Sequence, residues 1–396
     1  MSGQFSANAS ALGYFYQARY ALLLLLGADL DAEMSLERFD DISFAQEGTP
    51  TQLLQTKHQI NYTGSLSDAS TDLWKTLRVW SEAVTKGLIE PSETILSLVT
   101  TGRASDGSAA SKLRPQTAQQ PRDVDAALKA IRAVPLSSTS ESNKPAYDAF
   151  QALTPEQQHA LVNNIYVLDS SPNVIDTKDQ ILEKLKFSTR RQFLSLVYER
   201  VEGWWFDRVV KHLSRDSSDP ILYRELLAQI NDIQEEYFED NLPIEFLRAI
   251  APDESELSEE QRIFIQQLRL VTVGEPRIRR AINDYYRAFE QRSKWVREDL
   301  LDVGELEQYE ETLIDEWERL HEAMKEDLPA GATEEQMQRE GKALFNLFDS
   351  HKEIHIRPRC TQPYVMRGSY HILANKLRIG WHAEFLTRLS ALLAAR

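Results

Sequence analysis

Cysteine is nearly absent: Cys360 is the single one in 396 residues. That excludes an internal disulfide framework and any zinc module built on several cysteines, and it fits a reducing cytoplasm. Long hydrophobic runs are missing as well. The run Leu22–Leu26 is far below the roughly 20 apolar residues that span a bilayer. No Lys or Arg precedes Arg19, so a basic signal-peptide region is lacking, and the expectation is a cytoplasmic protein without membrane contact. Positive charge is also short. Lys and Arg number 45 against 61 Asp and Glu, a net charge of −16. Proteins that live by non-specific attraction to phosphate are usually basic. The deficit is uneven: residues 1–200 carry 19 basic and 23 acidic side chains, net −4, and the remainder is net −12. Only the first half is therefore suited to meet nucleic acid, through a local patch.

What is present is ordinary globular material, 42% hydrophobic and 27% charged, enough for two or three domains at about 100–200 residues each. Residues 10–27 read as a nearly all-apolar, buried helix ending at Gly27. Two strands, Ser35–Phe44 and Thr51–His58, flank a hairpin turn at residues 46–50. Leu73, Trp74, Leu77, Trp80 and Val84 recur at helical spacing over residues 68–86, and Thr94–Thr100 is a short buried-strand run. Strand, helix, strand predicts a crossover and a mixed α/β domain. Residues 102–122 read as loop, residues 124–134 and 155–163 as helices, and Ile165–Leu168 as a last strand. From Lys178 onward the periodicity is helical throughout, which places a boundary near residue 178: domain 1–178, then a mainly helical domain 179–396. Thirteen acidic residues between Glu298 and Asp327 read as a solvated helix face.

The hairpin has two readings, a surface hairpin with scattered polar residues or a site for chemistry. Folded about Gly48, paired positions sum to about 96, so Asp41 faces Gln55 and Ile42 pairs with Leu54 on the apolar face. Gln55 and Lys57, two apart, share a face with Asp41. Carboxylate and amide oxygens suit Mg²⁺, which keeps several waters, and Mn²⁺ substitutes for it. Such a cation polarises a phosphate and supplies a hydroxide-like nucleophile, and an adjacent lysine orients the water and stabilises transition-state charge. A one-residue slip in register would destroy the arrangement.

This constellation resembles the restriction-endonuclease-like PD-(D/E)xK superfamily, in its variant with Gln before xK. More narrowly, the first 170 or so residues are similar to the endonuclease domain of CD-NTase-associated defence nucleases. The stretches concerned are Gly13-Tyr14-Phe15-Tyr16-Gln17, Leu36–Asp41, Leu54–His58, Asp72–Leu77 and Val99-Thr100-Thr101. The resemblance implies an active site of Asp41, Gln55 and Lys57, with Gln17 and Glu37 beside it, and a metal held by Asp41, Gln55 and the Thr56 carbonyl. Glu37, four residues from Asp41 along one strand, would stand about 13 Å away. Asp40 would point away from Asp41 unless a bulge intervened.

A second resemblance covers residues 180–396. Arg200–Phe206, with Trp204 and Trp205, and Arg367–Ala374 followed by Gly380-Trp381-His382 are similar to the C-terminal domain of effectors in ABC-ATPase three-component defence systems, of which Lamassu is one. It implies a nuclease effector, acting on double-stranded DNA of phage or plasmid, that partners an SMC-like ATPase and a small middle subunit and self-associates when active. Rival readings are a non-catalytic scaffold that binds DNA or partners, and a nuclease acting on RNA. The tryptophans read as either core or interface.

Other motifs carry less. Gly107–Lys112 lacks the second glycine and the Ser/Thr of a phosphate-binding loop, so an ATPase would be another chain. His351, His355 and Cys360 lie close in sequence, but Glu353 is misplaced for a metalloprotease helix and residues 353–357 alternate like a strand. His58 is a further candidate phosphate contact.

Overall fold

The computed structural model describes residues 3–46, 49–57, 65–117, 121–173, 175–214, 219–257, 263–350 and 353–394. The chain divides into two compact units, Met1–Gln234 and Glu235–Arg396.

The first unit opens with α1 (Gly3–Leu25), then β1 (Glu33–Leu36), β2 (Ile42–Gln46), β3 (Thr49–Lys57) and β4 (Ser65–Leu66). Next come α2 (Thr71–Thr85), β5 (Ile95–Thr100), β6 (Arg103–Ala104), α3 (Ala109–Lys112), α4 (Val124–Ser137), α5 (Lys144–Gln151), α6 (Pro155–Asn163) and β7 (Ile165–Leu168). It continues through α7 (Asp176–Leu185), α8 (Leu194–Ser214), β8 (Ile221–Leu222) and α9 (Tyr223–Glu236). Six strands form one sheet in the order β7-β5-β3-β2-β1-β8. β1, β2 and β3 meander antiparallel, whereas β5 lies parallel to β3 and to β7. The α2 crossover links β3 to β5, as the strand–helix–strand pattern requires. β5 lacks the alternation of a half-exposed strand because a central parallel strand is covered on both faces, and five of its six residues, Ser97 and Thr100 among them, are buried. Leu73, Trp74, Leu77, Trp80 and Val84 of α2 are all buried, and the Trp74 ring meets Tyr147 edge-on at 4.4 Å.

Several expectations change. Ser35–Phe44 is not one strand: β1 ends at Leu36, residues 37–41 form a tight loop, and Ile42 turns back antiparallel opposite Leu36. Residues 102–122 contain β6 and α3. Residues 179–234, expected in the second domain, belong to the first unit, because β8 extends the sheet beside β1 and α8 packs on α1. His58 and Gly48 lie outside the described residues.

The second unit holds α10 (Ile263–Leu270), α11 (Glu275–Arg297), α12 (Glu305–Asp327), α13 (Glu334–Ser350), α14 (Pro363–Asn375) and α15 (Phe385–Ala394). Residues 353–355 are not strand. α14 crosses α11 so closely that a Cβ on Gly368 would stand 2.1 Å from the Asp284 carbonyl oxygen. Beside this junction Arg292 of α11 and Glu310 of α12, both buried, form an ion pair, and Arg292 also reaches the Ser369 hydroxyl of α14 at 3.1 Å. Trp381 is 1% exposed and packs on Phe345 and Phe348. The Gly368 and Trp381 motifs are therefore packing devices of a helical core.

Candidate functional site

Pairing of β2 with β3 brings the site together. Ile42 stands opposite Leu54, so the register sums to 96 at this end, while a bulge at Phe44/Ala45 shifts it nearer the turn. Asp41 is the residue just before β2 and is held by β3. Its Oδ1 accepts from Gln55 Nε2 at 2.5 Å, and its Oδ2 accepts from the Thr56 backbone N–H at 2.7 Å and the Thr56 hydroxyl at 2.9 Å. Gln55 is buried; Asp41, Thr56 and Lys57 are half-buried. The Lys57 carbonyl accepts from Thr101 on the β5 side. Alternation along the strand then turns the Thr56 carbonyl toward Asp41, together with its N–H.

Loop 37–41 brings in the remaining residues. Its ends close through Glu37 N–H to the Asp41 carbonyl at 3.1 Å, with Glu37 in the left-handed region at φ 54°. Glu37 is thus not a distant strand residue. Gln17, buried on α1, donates through Nε2 to Glu37 Oε1 at 3.0 Å and to the Asp41 carbonyl at 2.7 Å. All six sequence candidates, Gln17, Glu37, Asp41, Gln55, Thr56 and Lys57, therefore fall in one neighbourhood. Gln17 and Glu37 support the backbone around Asp41.

Two further residues lie beside this group: Asp40, expected to point away from Asp41, and His212, which carried no sequence signal. Asp40 turns inward: its Oδ2 accepts from Trp80 Nε1 at 2.6 Å and its Oδ1 from the Asp41 N–H at 3.0 Å. Burial pushes its carboxyl up to about 7, with the Trp80 bond opposing, the Asp41 charge adding and Lys57 opposing. On α8, His212 accepts from the Leu36 N–H through Nε2 at 3.2 Å.

A carboxylate, an amide oxygen and a backbone carbonyl are hard donors of the kind Mg²⁺ takes alongside retained water. Cation binding would require Gln55 to turn its amide, since its nitrogen now faces Asp41. Among the described residues no three His, Cys, Asp or Glu side chains cluster, so soft or histidine-rich metal sites have no counterpart there. Among the same residues no helix is long and apolar enough to cross a membrane. Cys360 is buried and its thiol is pushed up to about 12 by that burial. Trp205 is buried, its Nε1 bonded to the Ala18 carbonyl, whereas Trp204 is half-buried.

No curated protein matches the chain. Among solved structures it is similar to the Moraxella osloensis Cap4 SAVED/CARF-domain containing receptor, with TM-score 0.35 and 14% identity over 66% of this chain and 60% of that one. It is likewise similar to the Acinetobacter baumannii Cap4 SAVED/CARF-domain containing receptor with the cyclic trinucleotide 2′3′3′-cAAA, with TM-score 0.33 and 13% identity over 66% of this chain and 57% of that one. The chain thus spans about 60% of the length of these receptors. Both are described as receptors and not as restriction-endonuclease folds, and TM-scores this low define neither fold nor ligand. Residues 264–389 match the family described as C-terminal domain 7 of the ABC-three component (ABC-3C) systems. That match, over less than half of the chain, supports its membership of an ABC-three component defence system.

Proposed function

We propose that the chain is the nuclease effector of such a system, cleaving phosphodiester bonds of double-stranded DNA with Mg²⁺ at Asp41, and that its first unit is a restriction-endonuclease-like domain. The observation that carries this reading is the convergence of Asp41, Gln55 and Thr56 across β2 and β3, with Lys57 two residues beyond Gln55 on the same face. A bound Mg²⁺ would polarise the phosphate and favour attack by water. The chain's own residues would do the rest. Asp41, the Gln55 amide oxygen and the Thr56 carbonyl would hold the cation. Lys57, which makes no ion pair among the described residues, would orient the attacking water and offset charge on the phosphate. Gln17 and Glu37 would keep the Asp41 backbone in place.

Partners follow from the second unit. Its similarity to an ABC-three component domain supports binding to an ABC ATPase and a middle subunit. With net charge −16 the isolated chain should bind DNA weakly, so delivery by a DNA-loaded partner, or self-association, would raise cleavage by local concentration.

A second reading has its own observation. Both Asp41 oxygens are already satisfied by Gln55 and Thr56, as in a purely structural clamp of a non-catalytic scaffold. Plasmid cleavage with Mg²⁺ separates the two, using the chain with its partners. The nuclease reading expects cleavage by wild type and a loss of about a hundredfold or more in Lys57→Ala. Equal rates would assign the hairpin to the scaffold.

A further inference from the structure

α8 touches the chain beside both residues that brace the Asp41 loop. Glu202 pairs with Arg19 at 2.6 Å, and Trp205 Nε1 donates to the Ala18 carbonyl at 2.7 Å. These are the two residues that follow Gln17. At its C-terminal end His212 accepts from Leu36, the residue before Glu37. A cavity of about 150 Å³ lies here, lined by Gln17, Leu36 and Glu37 together with Phe206, Val209 and Leu213 of α8.

The Leu36 bond is the informative one. β8 pairs with β1 only at Glu33 and Met34 and stops short of Leu36. The Leu36 N–H faces that uncovered edge, and His212 takes the place of a strand partner. His212 is 8% exposed. Because Nε2 accepts, the ring proton sits on Nδ1, 3.0 Å from the Asp219 carbonyl. Only the neutral imidazole in this tautomer serves both bonds. Burial lowers its pKa, the bond to the Asp219 carbonyl opposes that, and Arg208 and Arg38 disfavour the charged ring.

We propose that His212 is a positioning residue for the Asp41 site, anchoring through Leu36 the loop that carries Glu37 and Asp41. The proposal rests on the nuclease reading for its effect on activity, but not for its effect on the loop. Loss of the acceptor leaves a buried N–H unpaired at the base of the loop, next to the strained Glu37, and the loop should open more often. The nuclease activity would then depend on residues 194–222 as well as on the stretch that bears the catalytic side chains.

Amide hydrogen exchange on the full chain tests this, with β5 as the internal control. His212→Phe keeps an aromatic ring, somewhat larger than imidazole, and removes the acceptor; His212→Gln keeps one acceptor and one donor. In His212→Phe the amides of residues 36–42 should exchange about tenfold faster or more, with β5 unchanged, and His212→Gln should return toward wild type. Wild-type exchange in His212→Phe, or equal behaviour of the two variants, overturns the proposal. If His212→Phe also loses protection in β5, His212→Gln decides: exchange of residues 36–42 within a few-fold of wild type supports the proposal, and a rise beyond tenfold with β5 intact overturns it. In a chain that cleaves DNA, His212→Phe should lower kcat with KM little changed, and His212→Gln should rescue it. A wild type that does not cleave would remove the nuclease reading and leave the exchange result to stand.

Discussion

Thr56 donates twice to one oxygen of Asp41, from its backbone N–H at 2.7 Å and from its hydroxyl at 2.9 Å. The other oxygen receives Gln55. A half-buried carboxylate with three N–H and O–H donors is fixed in direction before any cation arrives, and a cation at Oδ1 would displace the Gln55 N–H as that amide turns.

That fixing sets the response to substitution. Asp41→Asn should keep the fold, because its amide oxygen can still accept from Thr56 and Gln55 can turn to match, while Mn²⁺ affinity measured by calorimetry falls at least about tenfold. Thr56→Val removes the hydroxyl alone and should cost about 1 kcal/mol in urea unfolding. A stability loss as large for Asp41→Asn as for Asp41→Ala would show that the carboxylate serves only as a clamp.

Divalent ions offer an independent check. Mg²⁺ or Mn²⁺ should raise the melting temperature of the wild type, and Ca²⁺ should bind without supporting turnover, because all three proposed donors are oxygens. EDTA should reverse the shift and abolish cleavage. Undiminished cleavage after exhaustive chelation would exclude a cation from the reaction.

His371 predicts an acid-sensitive second unit. It is fully enclosed by Phe264, Phe345 and neighbouring core, and burial lowers its pKa to about 4. The charges that reach it are Asp349 and Arg367, with opposing effects. In the unfolded chain it titrates near 6.5, so between pH 6.5 and 4 the unfolded state holds the extra proton. Stability is then complete above pH 6.5 and falls as pH drops, by up to about 3 kcal/mol. His371→Phe should flatten this slope in urea titrations; an unchanged slope would point to other groups.

Gly368 predicts intolerance of even a methyl group. With a Cβ built 2.1 Å from the Asp284 oxygen and 2.4 Å from the Ala288 Cβ, Gly368→Ala must separate α14 from α11. Overpacking of this kind costs about 1–3 kcal/mol, readable as a lower urea midpoint. A wild-type midpoint would mean that the two helices slide apart freely.

Truncation tests the division of the chain. Fragment 1–178 would lack β8 and α8 and leave the β1 edge and the apolar side of α1 uncovered. It should aggregate, whereas 1–234 and 235–396 should each unfold cooperatively in circular dichroism. Cooperative unfolding of 1–178 would show that α8 is an addition to a complete domain.

Helix periodicities, and the hairpin register that sets Ile42 opposite Leu54 and so brings Asp41 to Gln55, were readable from residues alone. Alternation of period two and the Ile42–Leu54 apolar pair leave one register that buries the right face. The α2 face and the Ile165–Leu168 strand were legible for the same reason: local spacing dictates which side is apolar. Loop 37–41 was not, because Glu37-Arg38-Phe39-Asp40-Asp41 holds no Gly or Pro, and the left-handed turn at Glu37 is imposed by contacts with Gln17 and Asp41. Nor were Trp80 and His212, which meet Asp40 in the loop and Leu36 at its base from 40 and 176 residues away in sequence. Periodicity reports burial along one element. Which distant donor or acceptor satisfies a given backbone group is decided only when the elements pack, and here that packing carried α8 and β8 into the unit that holds the site.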